Sequence, residues 1–290
     1  MCRLFGLTSA PHVTRATFWL LDAPDSLDEQ SRRNPDGTGL GFFAADGRPE
    51  LFRQPIAAWQ DQQFAAHARH ARSTSFVAHV RHASTGAVSV PNTHPFERSG
   101  RLFAHNGVVE GLPALEHQLG AEVMASVGGE TDSERLFALI DREIDAAGGN
   151  VARGITTAAR WVAAELPLYS INLLLASATE LWALRYPDTN SLHVLRRPPG
   201  GQHGGRALHH ADATGATRVH ASDLIEVPAV VVASEPMDEH PDWRALASGE
   251  LLHVGPHGEV TSRIVLPDPP AHPLQLADLR PEAATSQHVA

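Results

Sequence analysis

The chain contains no lysine: all 23 of its basic residues are arginine. That absence excludes the phosphate lysine of a Walker A loop, a lysine Schiff base and a pyridoxal phosphate site. Set against 33 acidic residues, the formal charge is −10, the wrong sign for a general nucleic-acid surface. No run of about 18 apolar residues occurs, so no membrane-spanning helix is expected. The N-terminus MCRLFGLTSAPH lacks the basic stretch and long apolar run of a secretory signal. A single cysteine cannot form an internal disulfide, which fits a reducing compartment, and a cytoplasmic location is expected. What is present is ordinary for a soluble domain, 42% hydrophobic and 19% charged, and 290 residues suffice for a full core.

Eighteen histidines invite a metal reading. His67 and His70 share a helical stretch, His79 and His82 flank a strand-like run, and His209 and His210 lie in a polar segment. None belongs to an H-E-x-x-H or Cys/His zinc pattern, so neither a metal nor a cofactor is expected.

The lone cysteine is Cys2, directly behind the initiator methionine. Its side chain is small enough for an aminopeptidase to remove Met1. The processed chain would then begin with a thiol and a free α-amine on one carbon skeleton, a nucleophile beside its own base. An α-amine titrates near pH 8, about 7.7–8.0 in unstructured chains, and the thiolate is the attacking species.

Along the chain, short strand-like runs come first: Arg3 to Thr8, Gly39 to Ala44, Phe76 to His82 and Arg101 to His105. Helical patterns follow at Leu112 to Leu119, from Thr131 through Ile144, and at Ile155 to Glu165. Thr131 is a candidate N-cap, with Glu134 three residues on to complete a capping box. Strands return at Ser170 to Ser177 and Glu180 to Tyr186, joined as a hairpin, then at Leu192 to Arg196, Ala229 to Ala233, Glu250 to Val254 and Val260 to Val265. Pro198 to Thr217 reads as a long loop. The Pro- and Ala-rich stretch from 266 to 290 is expected to be a poorly ordered tail. Strands, helices, then strands predict an α+β fold with a sheet-on-sheet core and no dividing linker.

Four local motifs carry chemistry: Cys2-Arg3-Leu4-Phe5-Gly6 at the terminus, Arg81-His82-Ala83-Ser84 at a strand end, His105-Asn106-Gly107 after a strand, and Thr131-Asp132-Ser133-Glu134 at a helix start. In this order they resemble the glutaminase domain of the class II, N-terminal-nucleophile (Ntn) glutamine amidotransferases, over roughly residues 2 to 265. The resemblance implies a single-domain, four-layer αββα sandwich of the Ntn-hydrolase type. Its substrate would be glutamine or a γ-glutamyl amide. It implies that Cys2 attacks the γ-carboxamide to give a γ-glutamyl thioester. The Asn106 side chain and the Gly107 N–H would form the oxyanion hole, Arg81 would take the substrate carboxylate and Asp132 its ammonium. The stretch Asp36-Gly37-Thr38-Gly39-Leu40-Gly41 and the turn Asn92-Thr93-His94-Pro95-Phe96 resemble segments of the same family and are read as shaping the site. The glycines precede their strand, which does not fit a dinucleotide loop.

Most members of that family carry a second domain that uses the ammonia, and none fits here. Two jobs follow: hydrolysis of a small-molecule γ-glutamyl amide, as in the ergothioneine-pathway hydrolases, or ammonia supply to a separate protein subunit. Two further alternatives stand. With Met1 retained, the protein would bind a γ-glutamyl ligand without turnover. Ser84 in His82-Ala83-Ser84-Thr85-Gly86 resembles a nucleophile elbow, with His82 in place of the first glycine.

Overall fold

The structure, a computed structural model, describes residues 2–198 and 227–287. Every residue of strand β1 (Arg3–Thr8) is buried, and its side chains alternate between two apolar clusters, Phe5 and Leu7 in one and Leu4 in the other. A strand apolar on both faces belongs at the centre of a covered sheet. β1 lies there, antiparallel to β4 (Ser75–Arg81) on one side and to β10 (Ala229–Ala233) on the other. The first sheet continues from β10 to β9 (His193–Arg197) and β11 (Arg244–Ala245), and from β4 to β2 (Gly37–Phe43) and β3 (Pro49–Gln54). The second sheet runs β13 (Val260–Ile264), β12 (Glu250–Val254), β8 (Leu181–Arg185), β7 (Leu168–Ala176), β6 (Arg101–Val109), β5 (Phe96–Arg98).

The two sheets meet through Leu4, Val77, Val230 and Val232 on one side and Leu102, Ala104, Leu174 and Leu252 on the other. The opposite face of the first sheet carries Phe5, Leu7 and Ala78, covered by Phe18, Trp19 and Leu20 and by α1 (Leu27–Gln30) and α2 (Gln62–His70). The second sheet's outer face, with Phe103, Leu173 and Leu175, packs on α3 (Leu112–Met124), α4 (Asp132–Ala146) and α5 (Val151–Glu165). This is the expected αββα sandwich. Each fully buried leucine, valine or phenylalanine in it contributes about 1.5–3 kcal/mol.

α4 shows how sequence becomes packing. Leu136, Phe137, Ile140 and Ile144 fall on one helical face, and Phe137 stacks on Phe103 of β6 with ring centroids 4.7 Å apart. Thr131 caps the helix as expected, its Oγ1 accepting the Glu134 N–H at 3.2 Å. Glu134 does not complete the box. Its carboxylate instead accepts from Gly128 N (2.9 Å) and Gly129 N (2.6 Å), tying down the preceding glycine loop.

Three further differences from the sequence reading matter. His105-Asn106-Gly107 lies inside β6, opposite Leu173, Asn172 and Ile171 of β7, and not in a turn. Asn-Gly favours a turn locally, but continuous pairing with the buried β7 overrides it. β3 and β5, an edge pair and a three-residue strand, were too short or too exposed to leave a pattern. The stretch from 266 to 287 does not hang free. The Leu168 N–H donates to His272 O and the Leu274 N–H to Leu168 O, both at 2.9 Å. A short helix, α6 (Pro281–Gln287), then docks with Leu279 and Ala283 buried against Val108. Of the Pro198 to Thr217 loop, residues 199 onward, with His209 and His210, lie outside the described residues. Among the described residues no helix is long and apolar enough to cross a membrane.

Candidate active site

Strand alternation decides which side chains can meet. On β1, Leu4 faces the second sheet, so Cys2, two residues earlier, does too. On β4, Val77 faces that way, and with it His79 and Arg81. On β6, Leu102 and Ala104 face the first sheet, and the same parity carries Asn106. The register Arg3 opposite Val80 sets Cys2 beside the end of β4. Cys2, Arg81 and Asn106 thus converge on one end of the gap between the sheets.

The Cys2 Sγ is held by the residue after Arg81. It accepts from the His82 N–H at 3.3 Å and faces the His82 carbonyl, also at 3.3 Å. Burial pushes the thiol pKa up, opposed by the His82 N–H and the charges of Arg81 and Arg3. The resting thiol is therefore protonated.

Arg81 is 3% exposed. Its guanidinium donates to three carbonyls of the loop that follows it: Ala87 at 2.9 Å, Thr85 at 2.7 Å and Gly86 at 3.1 Å. Burial pulls its pKa down, opposed by the negative charges of Asp36 and Asp132. Asp36, which heads the stretch Asp36-Gly37-Thr38-Gly39 read from the sequence as shaping the site, accepts the Ala83 N–H at 2.8 Å and so pins the same loop. Asp132 is buried at the start of α4, accepting from Val109 N and Ser133 N, both at 2.9 Å. Ser133 in turn contacts His105 Nδ1 at 2.9 Å, linking α4 to β6.

Asn106 is fully buried, yet neither its amide nitrogen nor its oxygen has a hydrogen-bond partner. Buried amides are normally satisfied, and an unpaired one costs about 1–3 kcal/mol. Gly107 is glycine by necessity: a Cβ there would lie 1.8 Å from Ser170 O across the β6–β7 ladder. On β2 the spaced glycines serve the turn that crosses them. A Cβ on Gly39 would meet His94 O at 1.9 Å, one on Gly41 would meet Leu102 at 2.9 Å, and one on Gly37 would meet Thr93 at 3.2 Å. The glycine stripe lets Thr93-His94-Pro95 lie flat on the sheet behind the site. His94 packs against His79 with ring centroids 4.2 Å apart and planes tilted by 37°.

Ser84 stands in the loop between β4 and a 3-10 turn at Val90–Asn92, with no helix to form the strand–turn–helix of a nucleophile elbow. No cluster of three or more histidine, cysteine, aspartate or glutamate residues that could hold a metal occurs among the described residues.

Comparison with known proteins matches this geometry to a family. The model for class-II glutamine amidotransferases matches residues 1–277. The chain is 30% identical over 274 residues to a gamma-glutamyl-hercynylcysteine sulfoxide hydrolase of Mycobacterium tuberculosis, covering 89% of this chain and 94% of that protein. Its fold matches a glutamine aminotransferase class-II domain protein from Silicibacter pomeroyi with a TM-score of 0.59 at 24% identity, over 92% of this chain and all of the other. It also matches the phosphoribosylpyrophosphate amidotransferase of Bacillus subtilis with a TM-score of 0.63 at 17% identity, over 92% of this chain and 50% of that longer one. Two antiparallel sheets between helical layers, a cysteine at the head of the central strand, and a family match over nearly the whole length make this chain an enzyme of the class II glutamine amidotransferase family.

Proposed function

We propose that the protein hydrolyses the γ-amide bond of a small γ-glutamyl amide, glutamine or a larger one, through an N-terminal Cys2 nucleophile. The observation that carries this reading is the unpaired Asn106 amide, buried on the face of β6 that looks across to Cys2. A donor held ready without a partner is what an oxyanion demands.

With Met1 removed, the Cys2 α-amine takes the thiol proton as sulfur attacks the γ-carbonyl carbon. The carbonyl π electrons move onto oxygen, where the Asn106 amide and the Gly107 N–H donate to the oxyanion. Collapse breaks the C–N bond, and the leaving amine receives the proton from the α-ammonium. A γ-glutamyl thioester remains. Water then attacks it, giving its proton to the same α-amine, and glutamate leaves as the thiol re-forms. Arg81 and Asp132 hold the carboxylate and ammonium at the other end of the glutamyl group. The 30% identical hydrolase, named for a γ-glutamyl substrate, supports hydrolysis of a metabolite over ammonia transfer.

The test is glutamate release by Met1-processed protein from L-glutamine and simple γ-glutamyl amides, with Cys2→Ala beside it. Release that disappears in Cys2→Ala is expected. Equal release by Cys2→Ala would refute the mechanism, and none from the processed protein would leave a γ-glutamyl-binding protein without turnover.

A further inference from the structure

We propose that α6 closes the substrate pocket and that Arg280 reads a carboxylate of the substrate. This rests on the function proposed above and adds a specificity residue to it. The family model matches residues 1–277 and stops short of α6.

Beside the candidate site is a cavity of 540 Å³ with three walls. One is the loop after Arg81, with Ser84 and Thr85. A second is the end of β6 past Asn106 and Gly107, with Val109 and Glu110. The third is Arg280 and Glu282 of the C-terminal segment. Two walls are thus direct continuations of the candidate catalytic strands, and the N–H that holds Asp132 belongs to Val109. The volume falls in the range of small-molecule sites, about 300–1,000 Å³.

α6 is fastened at both ends. Leu279 and Ala283 bury against Val108 of β6. At the far end Asn190 Nδ2 donates to Gln287 Oε1 at 3.1 Å, while the Asn190 carbonyl accepts from Asn172 Nδ2 at 3.0 Å. Asn172 is the cross-strand partner of Asn106. A seven-residue helix, about 10 Å long, therefore runs from the cavity to Asn190, which is hydrogen-bonded to the cross-strand partner of the proposed oxyanion donor. Among the described residues Arg280 is the only cation lining the cavity, and its side chain has no hydrogen-bond or ion-pair partner there. Unpaired arginines are ordinary on open surface; this one stands in a concavity whose other charged residues, Glu110 and Glu282, are acidic. A planar guanidinium there suits a carboxylate, and the acidic pair suits a neighbouring ammonium. A γ-glutamyl group carries both, and an amino-acid leaving group adds a second carboxylate.

The experiment compares wild type, Arg280→Ala, Arg280→Lys and the exposed control Arg263→Ala on L-glutamine, γ-glutamylglycine and γ-glutamylmethylamide. Arg280→Ala is expected to raise KM at least tenfold with a smaller effect on kcat, Arg280→Lys to recover part of it, and Arg263→Ala to match wild type. A rise confined to γ-glutamylglycine assigns the carboxylate to the leaving amine, as Arg81 on the glutamyl α-carboxylate requires; an equal rise for all three places Arg280 on that α-carboxylate and displaces Arg81 from the role. KM within twofold of wild type on every substrate overturns the proposal. If wild type turns over none of them, the functional reading fails and the pocket is tested by binding. Cys2 is the only thiol, so protection from iodoacetamide by γ-glutamylglycine reports occupancy. A half-protecting concentration at least tenfold higher in Arg280→Ala sustains the proposal. An unchanged one, or no protection of wild type, ends it.

Discussion

An amide that is buried without a partner separates two properties that substitutions usually damage together. Truncating the Asn106 side chain takes away no protein hydrogen bond among the described residues, because its amide makes none. Asn106→Ala is therefore expected to keep its melting temperature within a few degrees of wild type while kcat falls about 10²–10³-fold, the typical loss for one oxyanion donor. Thermal unfolding and glutamate-release assays on one preparation check both halves. A large drop in melting temperature with activity retained would make Asn106 a packing residue. Cys2 shows the complementary case: burial raises a thiol that is already protonated at neutral pH, so the proposed attack needs a base beside it. Arg81 carries a double load, since the guanidinium that the proposed mechanism gives to the substrate also holds three carbonyls of its own loop.

At the scale of elements, β2 and the turn above it form one unit. Gly39→Ala would drive a Cβ into the backbone carbonyl of His94, and backbone cannot step aside as a side-chain tip can. A loss of about 3 kcal/mol or more is expected, at or above the usual overpacking cost. Gly100→Ala, at a left-handed φ of 73° but with open space around it, should cost only about 1 kcal/mol. Urea unfolding of the two variants checks the order, and equal losses would contradict it. The glycine spacing and the Thr-His-Pro turn were both legible in the sequence as site-shaping, but that one lies on the other was not: contact between segments fifty residues apart leaves no local pattern. The same limit explains Asn106-Gly107. The residues were singled out from the sequence, while their place inside a strand was set by β7, some 65 positions later. That Cys2, Arg81 and Asp132 stand at the start or end of an element was readable from a strand alternation or a capped helix, while the roles proposed for them rest on the family resemblance. The docking of α6 rests on backbone bonds to Leu168 and on a few small apolar contacts, too sparse to register as periodicity.

Across the whole molecule, two buried histidines, His79 and His94, lie between the sheets and a third, His105, lies on the outer face of β6 against α4, and burial keeps all of them uncharged. His79 is lowered to about 3, His94 well below its ordinary value and His105 also below it. The positive charge of Arg81 depresses His79 and His94, Arg53 adds to the effect on His94, and Asp132 opposes it at His105. Each is neutral when folded and takes up a proton near pH 6.5 when unfolded. The unfolded chain thus binds more protons below that point, and stability must fall as pH drops. Between pH 6.5 and 5 the unfolding free energy is expected to decline, each histidine approaching about 1.4 kcal/mol per pH unit at most. Urea titrations at stepped pH measure it, and a flat profile over that window would show that the cluster does not resist protonation. The rims of the sandwich carry a different consequence. Among the described residues, the outermost strands are two residues long at β11 and three at β5, while β3 opens on Pro49 and β13 carries Arg263. Short, proline-started or charged borders offer poor templates for strand addition by another copy. Together with a net charge of −10, they disfavour the edge-to-edge aggregation to which open sheets are prone.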